Sequence, residues 1–154
     1  MDAASNDRNL TFFRFEDLRI YHKALDYVAW IHKASLQFPE AQKDNIGIRY
    51  NESARAIALN IAEGSARNKS QFIYYLKMAK SSIRETLVLT SALRKCGYLT
   101  DKQETESRGY LMELTKMIGA LISSLQRGPA GNHHADDEDD MEFPEHPSFK
   151  PESY

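Results

Sequence analysis

The longest continuous helical pattern in this chain lies at residues 70–97, SQFIYYLKMAKSSIRETLVLTSALRKCG. Its apolar and small residues recur at steps of four and three: Phe72, Leu76, Ala79, Ile83, Thr86, Thr90 and Leu93. This spacing keeps one stripe of side chains on a single face, since an α-helix turns once in about 3.6 residues. The pattern predicts a helix from about Ser70 to Cys96, closed by Gly97 and packed along a neighbouring helix.

Two more helices are predicted before this stretch. The first covers about residues 16–37 and ends before Pro39, because proline disfavours helical geometry in the residue that precedes it. The second covers residues 44–63, with Asp44 as its N-cap and Gly64 as a left-handed terminator.

A fourth helix is predicted after the long stretch. Thr100 and Gln103 form a capping-box pattern at its start, and the helix ends before Gly128-Pro129. Its core positions recur with helical spacing at Leu111, Leu114, Ile118, Leu121 and Leu125. Links of roughly five to seven residues favour antiparallel neighbours. We therefore expect an all-α fold, an antiparallel up-down-up-down four-helix bundle at residues 15–129, after a flexible N-terminal segment at residues 1–14.

Length and composition indicate one soluble domain. A chain of 154 residues can bury a single hydrophobic core. Cys96 is the one cysteine, which excludes an intrachain disulfide. No apolar run approaches the ~20 residues that span a bilayer, and the first residues are too polar for a signal peptide. We therefore expect a cytoplasmic protein with no membrane segment.

Residues 130–154 differ in composition from the rest of the chain. They hold eight acidic residues against one basic residue, a net charge of −7. The remainder holds 19 basic and 14 acidic residues, a net charge of +5. The segment is rich in proline and acids and poor in apolar residues that could offset the entropy of ordering. We expect residues 130–154 to form a disordered acidic C-terminal tail.

The first helix carries more apolar surface than a monomeric bundle needs. On a helical wheel its apolar residues cover an arc of about 200°, twice the width of an ordinary core-facing stripe. Deeper burial under the chain's own residues would explain this width, and so would self-association. The second explanation gives these candidates for an oligomer interface: Ile20, Ala24, Tyr27, Trp30 and Ile31.

The sequence contains no convincing catalytic or metal-binding constellation. His22 and Asp26 are four residues apart, but no nucleophile motif accompanies them. Glu63 and Glu85 lack the Glu-x-x-His partners of carboxylate-bridged metal sites in bundles. Phosphate-binding glycine motifs are absent. We therefore expect no catalytic residues, no metal, no cofactor and no small-molecule substrate, and hence a non-enzymatic protein.

A basic stripe is the remaining candidate for a binding site. Lys77, Lys80 and Arg84 step by three and four along the third predicted helix, and such a stripe can follow nucleic-acid phosphates. Tyr74 lies one turn earlier, where it could stack on an unpaired base. The other candidate contacts are Arg55, Arg67 and Lys69. A solvated lysine-rich face without a ligand is the alternative explanation.

Several motifs carry a resemblance to a known family. They are Asn60-Ile61-Ala62-Glu63-Gly64, Arg67, Phe72-Ile73-Tyr74-Tyr75-Leu76, Ala79, Ser82, Glu85 and Gly97-Tyr98-Leu99. In these motifs the chain, from about Phe15 to Leu125, resembles the four-helix-bundle proteins encoded in intervening sequences of 23S ribosomal RNA genes. The resemblance implies an antiparallel four-helix bundle assembled as a homopentamer. That family is similar to the accessory variability determinant proteins of diversity-generating retroelements, which are basic pentamers that bind nucleic acid and a reverse transcriptase.

The residues of this motif are expected to have structural roles. Asn60 and Glu63 are polar on a helix that faces its neighbours, so we expect them to form hydrogen bonds across helices or to the loop after Gly64. The other motif positions with an expected structural role are Ser82, Glu85 and Gly97.

The expected function follows from these surfaces. We expect a self-assembling helical scaffold, with a second copy of itself as partner, that contacts RNA or a nucleic-acid-bound protein. The alternative is a protein-binding module whose acidic tail engages a basic partner, without nucleic-acid contact.

Overall fold

A computed structural model describes residues 12–127, and within them the protein is entirely helical. The four long helices are α1 (Arg19–Ser35), α2 (Ile48–Ser65), α3 (Lys69–Lys95) and α4 (Asp101–Gln126). The shorter elements are a 3-10 turn (Arg14–Asp17), an α-helical turn (Glu40–Gln42) and a π-helical turn (Lys43–Gly47). The predicted acidic tail and most of the predicted N-terminal segment lie outside the described residues.

Contacts between the helices show an up-down-up-down bundle. The start of α2 meets the middle of α3, where Arg49 and Glu85 form an ion pair at 2.7 Å. The end of α2 meets the start of α3, where Gly64 lies against Phe72 and Tyr75. Such pairing requires antiparallel helices. Because each helix packs on the two beside it, α1 and α3 stand diagonally opposite, and the predicted four-helix bundle is confirmed.

Local capping signals explain where α3 and α4 begin and end. Thr100 and Gln103 exchange side-chain and backbone hydrogen bonds at the start of α4, which confirms the predicted capping box. Gly97 follows α3 with φ +78°, a left-handed conformation that suits glycine, as predicted. At the start of α3, the Asn68 side chain accepts a hydrogen bond from the Gln71 N–H at 2.9 Å.

Two predicted boundaries of α2 are wrong. Asp44 does not cap this helix, because residues 40–47 already form two helical turns that lead into Ile48. Gly64 does not end the helix either, since α2 continues to Ser65 and Gly64 is buried within it. A Cβ at Gly64 would stand 2.6 Å from the Tyr75 Cβ. Close approach of α2 and α3 therefore requires the absence of a side chain at this position.

The core follows the predicted helical spacing. On α3 the predicted stripe from Leu76 to Leu93 is buried, and Phe72 is half-buried at its start. On α4, Leu111, Leu114 and Ile118 are buried in the same way. Burial of this continuous apolar interior is the main term that stabilises the bundle.

A cluster of four buried hydroxyl groups crosses the centre of this core. Tyr27 of α1, Tyr50 of α2, Thr90 of α3 and Ser107 of α4 each contribute one group, and all four side chains are fully buried. The Ser107 Oγ forms hydrogen bonds with the Tyr27 hydroxyl at 2.6 Å, with Thr90 Oγ1 at 2.9 Å and with the Tyr50 hydroxyl at 3.1 Å. The Tyr50 hydroxyl also bonds Thr90 Oγ1 at 2.9 Å. One polar network thus joins all four helices.

Burial changes the acidity of both tyrosines in this cluster. Loss of contact with water raises the pKa of Tyr27 well above its ordinary value of 10.0, and burial also raises the pKa of Tyr50. Both phenols therefore stay protonated well beyond neutral pH and serve as hydrogen-bonding groups.

Candidate nucleic-acid interface

Positive charge in the described part of the chain is concentrated on α3. This helix carries six basic residues and one acid, a net charge of +5. The whole described region carries 18 basic and 12 acidic residues, a net charge of +6. The one acid of α3, Glu85, is paired with Arg49 of α2. By net charge, α3 is therefore the most basic helix of the described bundle, although Arg94 at its last turn is paired with Asp101 of α4.

The predicted stripe lies on this outer face. Lys77 and Lys80 are half-buried and Arg84 is exposed. Lys69 is exposed at the first turn. Among the described residues, no carboxylate lies within ion-pair distance of these four side chains; Arg84 donates instead to the Ser81 hydroxyl at 3.1 Å. Their charges are thus available to a ligand.

Tyr74 and Arg67 stand near the first turns of α3. Tyr74 is half-buried and packs edge-on against Tyr75, with ring centroids 5.5 Å apart. Arg67 lies over the Tyr75 ring and pairs with Glu63, and this hydrogen bond raises the pKa of the guanidinium. Arg67 therefore has a partner already, and its charge is less available than that of the lysines.

Arg55 does not belong to this stripe. It lines a groove of about 250 Å³ between α1 and α2, with His32, Ser35 and Leu36 on the opposite wall. The reason is geometric: Arg55 points to the side of α2 that faces α1, whereas α3 packs on another side. Arg55, predicted as a further nucleic-acid contact, thus lies apart from the stripe on α3.

The polar residues of the Asn-Ile-Ala-Glu-Gly motif have different partners. Glu63 pairs with Arg67 in the loop after Gly64, as expected. Asn60 instead donates to the Ala56 carbonyl of its own helix at 2.9 Å, so its predicted bond to another helix or to the loop is wrong. A half-buried amide can satisfy itself on the preceding turn.

Ser82 has a local partner and Glu85 bridges two helices. Ser82 donates to the Met78 carbonyl of α3 at 3.3 Å. Glu85 joins α3 to α2 through Arg49. The His22 ring bonds the Glu16 carbonyl at 2.5 Å, so no His22–Asp26 dyad is formed.

Four of the five predicted oligomer-interface residues of α1 are buried in their own chain, and the fifth, Trp30, is half-buried. Ile20, Ala24, Tyr27 and Ile31 are at most 4% exposed, so they cannot form an interface on the folded surface. Trp30 packs with Tyr27 and Tyr110, and its Nε1 donates to Glu106 of α4 at 3.1 Å. The apolar arc of α1 is wide because this helix packs against two neighbours, α2 and α4. Most of the apolar residues in the arc are covered by these two helices.

The surplus apolar surface lies on the outer side of α1 and α2. Leu25 of α1, Leu36 directly after α1, and Ile48 and Leu59 of α2 are between 38% and 67% exposed. We call these four residues the α1–α2 apolar face. Leu25 and Leu36 lie in the apolar arc of the sequence, but only the packing separates them from the core residues.

These features have counterparts in known proteins. Residues 16–120 match the family model described as "23S rRNA-intervening sequence protein". The chain belongs to this family. The matched residues cover the bundle from the turn before α1 to the last third of α4, and thus include the entire basic stripe.

A solved structure supports the same fold. The crystal structure of a protein with unknown function from the S23 ribosomal protein family of Bacteroides thetaiotaomicron is similar, with a TM-score of 0.63 and 22% sequence identity. The match covers 68% of this chain and 95% of that chain. At this identity the similarity concerns the fold alone. No curated protein matches the sequence.

The described residues contain no group of three or more His, Cys, Asp or Glu side chains that could hold a metal ion. Within the same region, no helix combines the length and the apolar character needed to cross a membrane.

Proposed function

We propose that this protein is a non-catalytic, self-assembling scaffold that presents the basic face of α3 to single-stranded RNA. The observation that carries the proposal is the net charge of +5 on α3, whose single acid is turned towards Arg49. The family's name refers to intervening sequences of 23S ribosomal RNA, so RNA is the polyanion to test first.

The geometry of the stripe suits a phosphate backbone. From Lys77 to Arg84 the helix rises about 10 Å, so three cations can contact neighbouring phosphates of one strand. Contacts of this kind are independent of base sequence. Tyr74, at the end of the stripe, offers an aromatic edge on which an unpaired base can stack.

Self-assembly would use the α1–α2 apolar face. The four exposed aliphatic residues lie on or beside two adjacent helices and supply the apolar side chains that such an interface needs. Because α1 is diagonally opposite α3, copies that associate through this face would keep the basic stripe of α3 exposed on the outside of the assembly. Several stripes on one particle would then raise the apparent affinity for a long RNA through avidity.

RNA binding is tested by the anisotropy of a fluorescent single-stranded RNA across a series of salt concentrations. Three phosphate contacts predict a slope of log K against log salt of about −2, and Lys80→Ala should reduce it by about 0.7. Lys33→Ala, an exposed lysine on the diagonal helix α1, is the matched control and should leave the slope unchanged. No binding at the lowest salt, or equal slopes for the two variants, would contradict the RNA contact.

Assembly is tested by sedimentation of the full chain. A pentamer of the 17.6 kDa chain has a mass of about 88 kDa. Leu59→Asn should lower that mass, because it places an amide in the apolar interface. Val88→Asn on α3 is the control, since both side chains are 67% exposed. A monomeric wild-type chain would refute assembly and leave RNA binding to be judged by the titration alone.

A further inference from the structure

An open apolar groove runs between α3 and α4. Its volume is about 590 Å³, and its apolar lining comes from Ile83 and Leu87 of α3 and Leu111 and Met112 of α4. Gly109 lies at its edge, where a Cβ would meet no atom within 4 Å. Met112 remains largely exposed. The groove can therefore accept apolar side chains from another segment.

Basic residues flank this groove on both sides. Lys80 and Arg84 precede and follow Ile83 on α3, and Arg108 lines the groove on α4. Lys116 lies one turn beyond Met112. Glu104 is the one acid of the lining. A segment that binds this groove should therefore carry a few apolar side chains for the apolar lining and acidic residues around them for the flanking basic residues.

The chain itself contains such a segment. Residues 128–154 follow α4 and lie outside the described structure. Residues 136–145 hold seven acids and, among them, Met141 and Phe143. From Met112 to the end of α4 the helix rises about 22 Å, and the eight residues 128–135 can span about 26 Å when extended. The acidic run can thus begin level with Met112.

We propose that residues 136–145 dock in the α3–α4 groove of their own chain. Met141 and Phe143 contact the apolar floor, while the carboxylates pair with Lys80, Arg84 and Arg108. The short connection to α4 gives the segment a millimolar effective concentration near the groove. This inference deepens the proposed function and rests on it in one respect: Lys80 and Arg84 belong to the RNA stripe, so the docked segment competes with RNA.

Docking is measured without RNA by methyl NMR of the full chain. A nitroxide is attached to Cys96, the one cysteine, which is exposed at the end of α3 near the groove. Methionine methyl groups are labelled with carbon-13. Met141 should be broadened at low salt and recover at high salt, because salt screens the ion pairs. Met112 serves as a nearby reference and Met78, farther along α3, as a distant one.

Two variants separate docking from misfolding. Lys80→Glu with Arg84→Glu should remove the broadening of Met141, whereas Lys33→Glu should keep it. A second variant replaces the four aspartates of the tail with asparagine, and it should also remove the broadening of Met141 without altering the bundle. The replaced residues are Asp136, Asp137, Asp139 and Asp140. A sharp Met141 signal in the labelled wild type at low salt would overturn the proposal. The intermolecular control mixes nitroxide-labelled chains without carbon-13 with carbon-13-labelled chains without nitroxide. If Met141 is broadened only in this mixed sample, the segment binds a neighbouring copy, and the proposal is overturned.

The RNA titration distinguishes this inference from the proposed function. If the segment is docked nine-tenths of the time, it lowers the apparent affinity for RNA about tenfold. The asparagine variant of the tail should therefore bind RNA about tenfold more tightly at low salt. NMR docking without RNA binding refutes the proposed function alone, and RNA binding without docking refutes the inference alone.

Discussion

Ser107 holds the buried hydroxyl cluster together, because it bonds the three other members. In Ser107→Ala the Tyr50 hydroxyl keeps Thr90 as a partner, and Thr90 keeps the Thr86 carbonyl at 2.8 Å. The Tyr27 hydroxyl forms its one hydrogen bond of standard length and angle with Ser107, at 2.6 Å, while Thr90 and Tyr50 also lie close to it. The substitution therefore leaves the buried Tyr27 hydroxyl without a hydrogen bond of standard geometry in the centre of the bundle.

The expected loss of stability follows from this count. An unsatisfied buried hydroxyl costs about 1–3 kcal/mol, and each of the other two lost bonds contributes about 1 kcal/mol. Alanine regains about 0.5 kcal/mol through its higher helix propensity. We expect Ser107→Ala to lower the free energy of unfolding by about 2.5–4.5 kcal/mol. Tyr27→Phe alone leaves Ser107 bonded to Tyr50 and Thr90 and should cost about 1 kcal/mol.

The double variant gives the sharper result. In the Ser107→Ala background, Tyr27→Phe removes the orphaned hydroxyl, so it should restore stability instead of reducing it. Urea unfolding followed by circular dichroism measures all three variants. Ser123→Ala, an exposed serine on the same helix, controls for helix propensity. The reasoning is refuted if Ser107→Ala is as stable as Ser123→Ala, or if the two substitutions at Tyr27 and Ser107 are additive.

Two other predictions concern the core. Gly64→Ala should lower the free energy of unfolding by about 1–3 kcal/mol, because its Cβ would clash with Tyr75. Gly119→Ala is the control: no atom lies within 4 Å of its Cβ, so the free energy of unfolding should rise by about 0.5–1 kcal/mol. Equal unfolding midpoints for the two variants would contradict this prediction. Ultraviolet titration should show that Tyr27 and Tyr50 ionise above the ordinary tyrosine pKa of 10.0, because burial raises the pKa of both groups. The unfolded chain loses these protons near pH 10, so stability should be complete below that pH and fall above it; a pH-independent unfolding midpoint from pH 9 to 11 would contradict the burial.

Helix ends were predictable where the signal was local. The capping box of Thr100 and Gln103 and the left-handed Gly97 depend on atoms within a few residues, so the sequence specifies them. Gly64 was not predictable in this way. A terminating glycine and an interior glycine look alike in sequence, and the difference is the approach of Phe72 and Tyr75 from another helix.

The hydroxyl cluster likewise combines a feature that the sequence specifies with one that depends on the packing of other helices. Ser107 stands four residues before Leu111, so the helical repeat that gave the core of α4 also places this serine inside. That repeat is a signal that could have found it. The three partners of Ser107 lie on three other helices, and their meeting point depends on the register of all four.

The sequence by itself determined the helical spacing, the concentration of positive charge on α3 and the excess of apolar residues on α1, because each is a property of one helix. Tertiary structure alone decided which side of each helix its neighbours would cover. It placed Ile20, Ala24, Tyr27 and Ile31 inside, turned Arg55 away from the stripe and left the α1–α2 apolar face outside. A helical wheel gives directions around one axis, whereas burial depends on where the other axes stand.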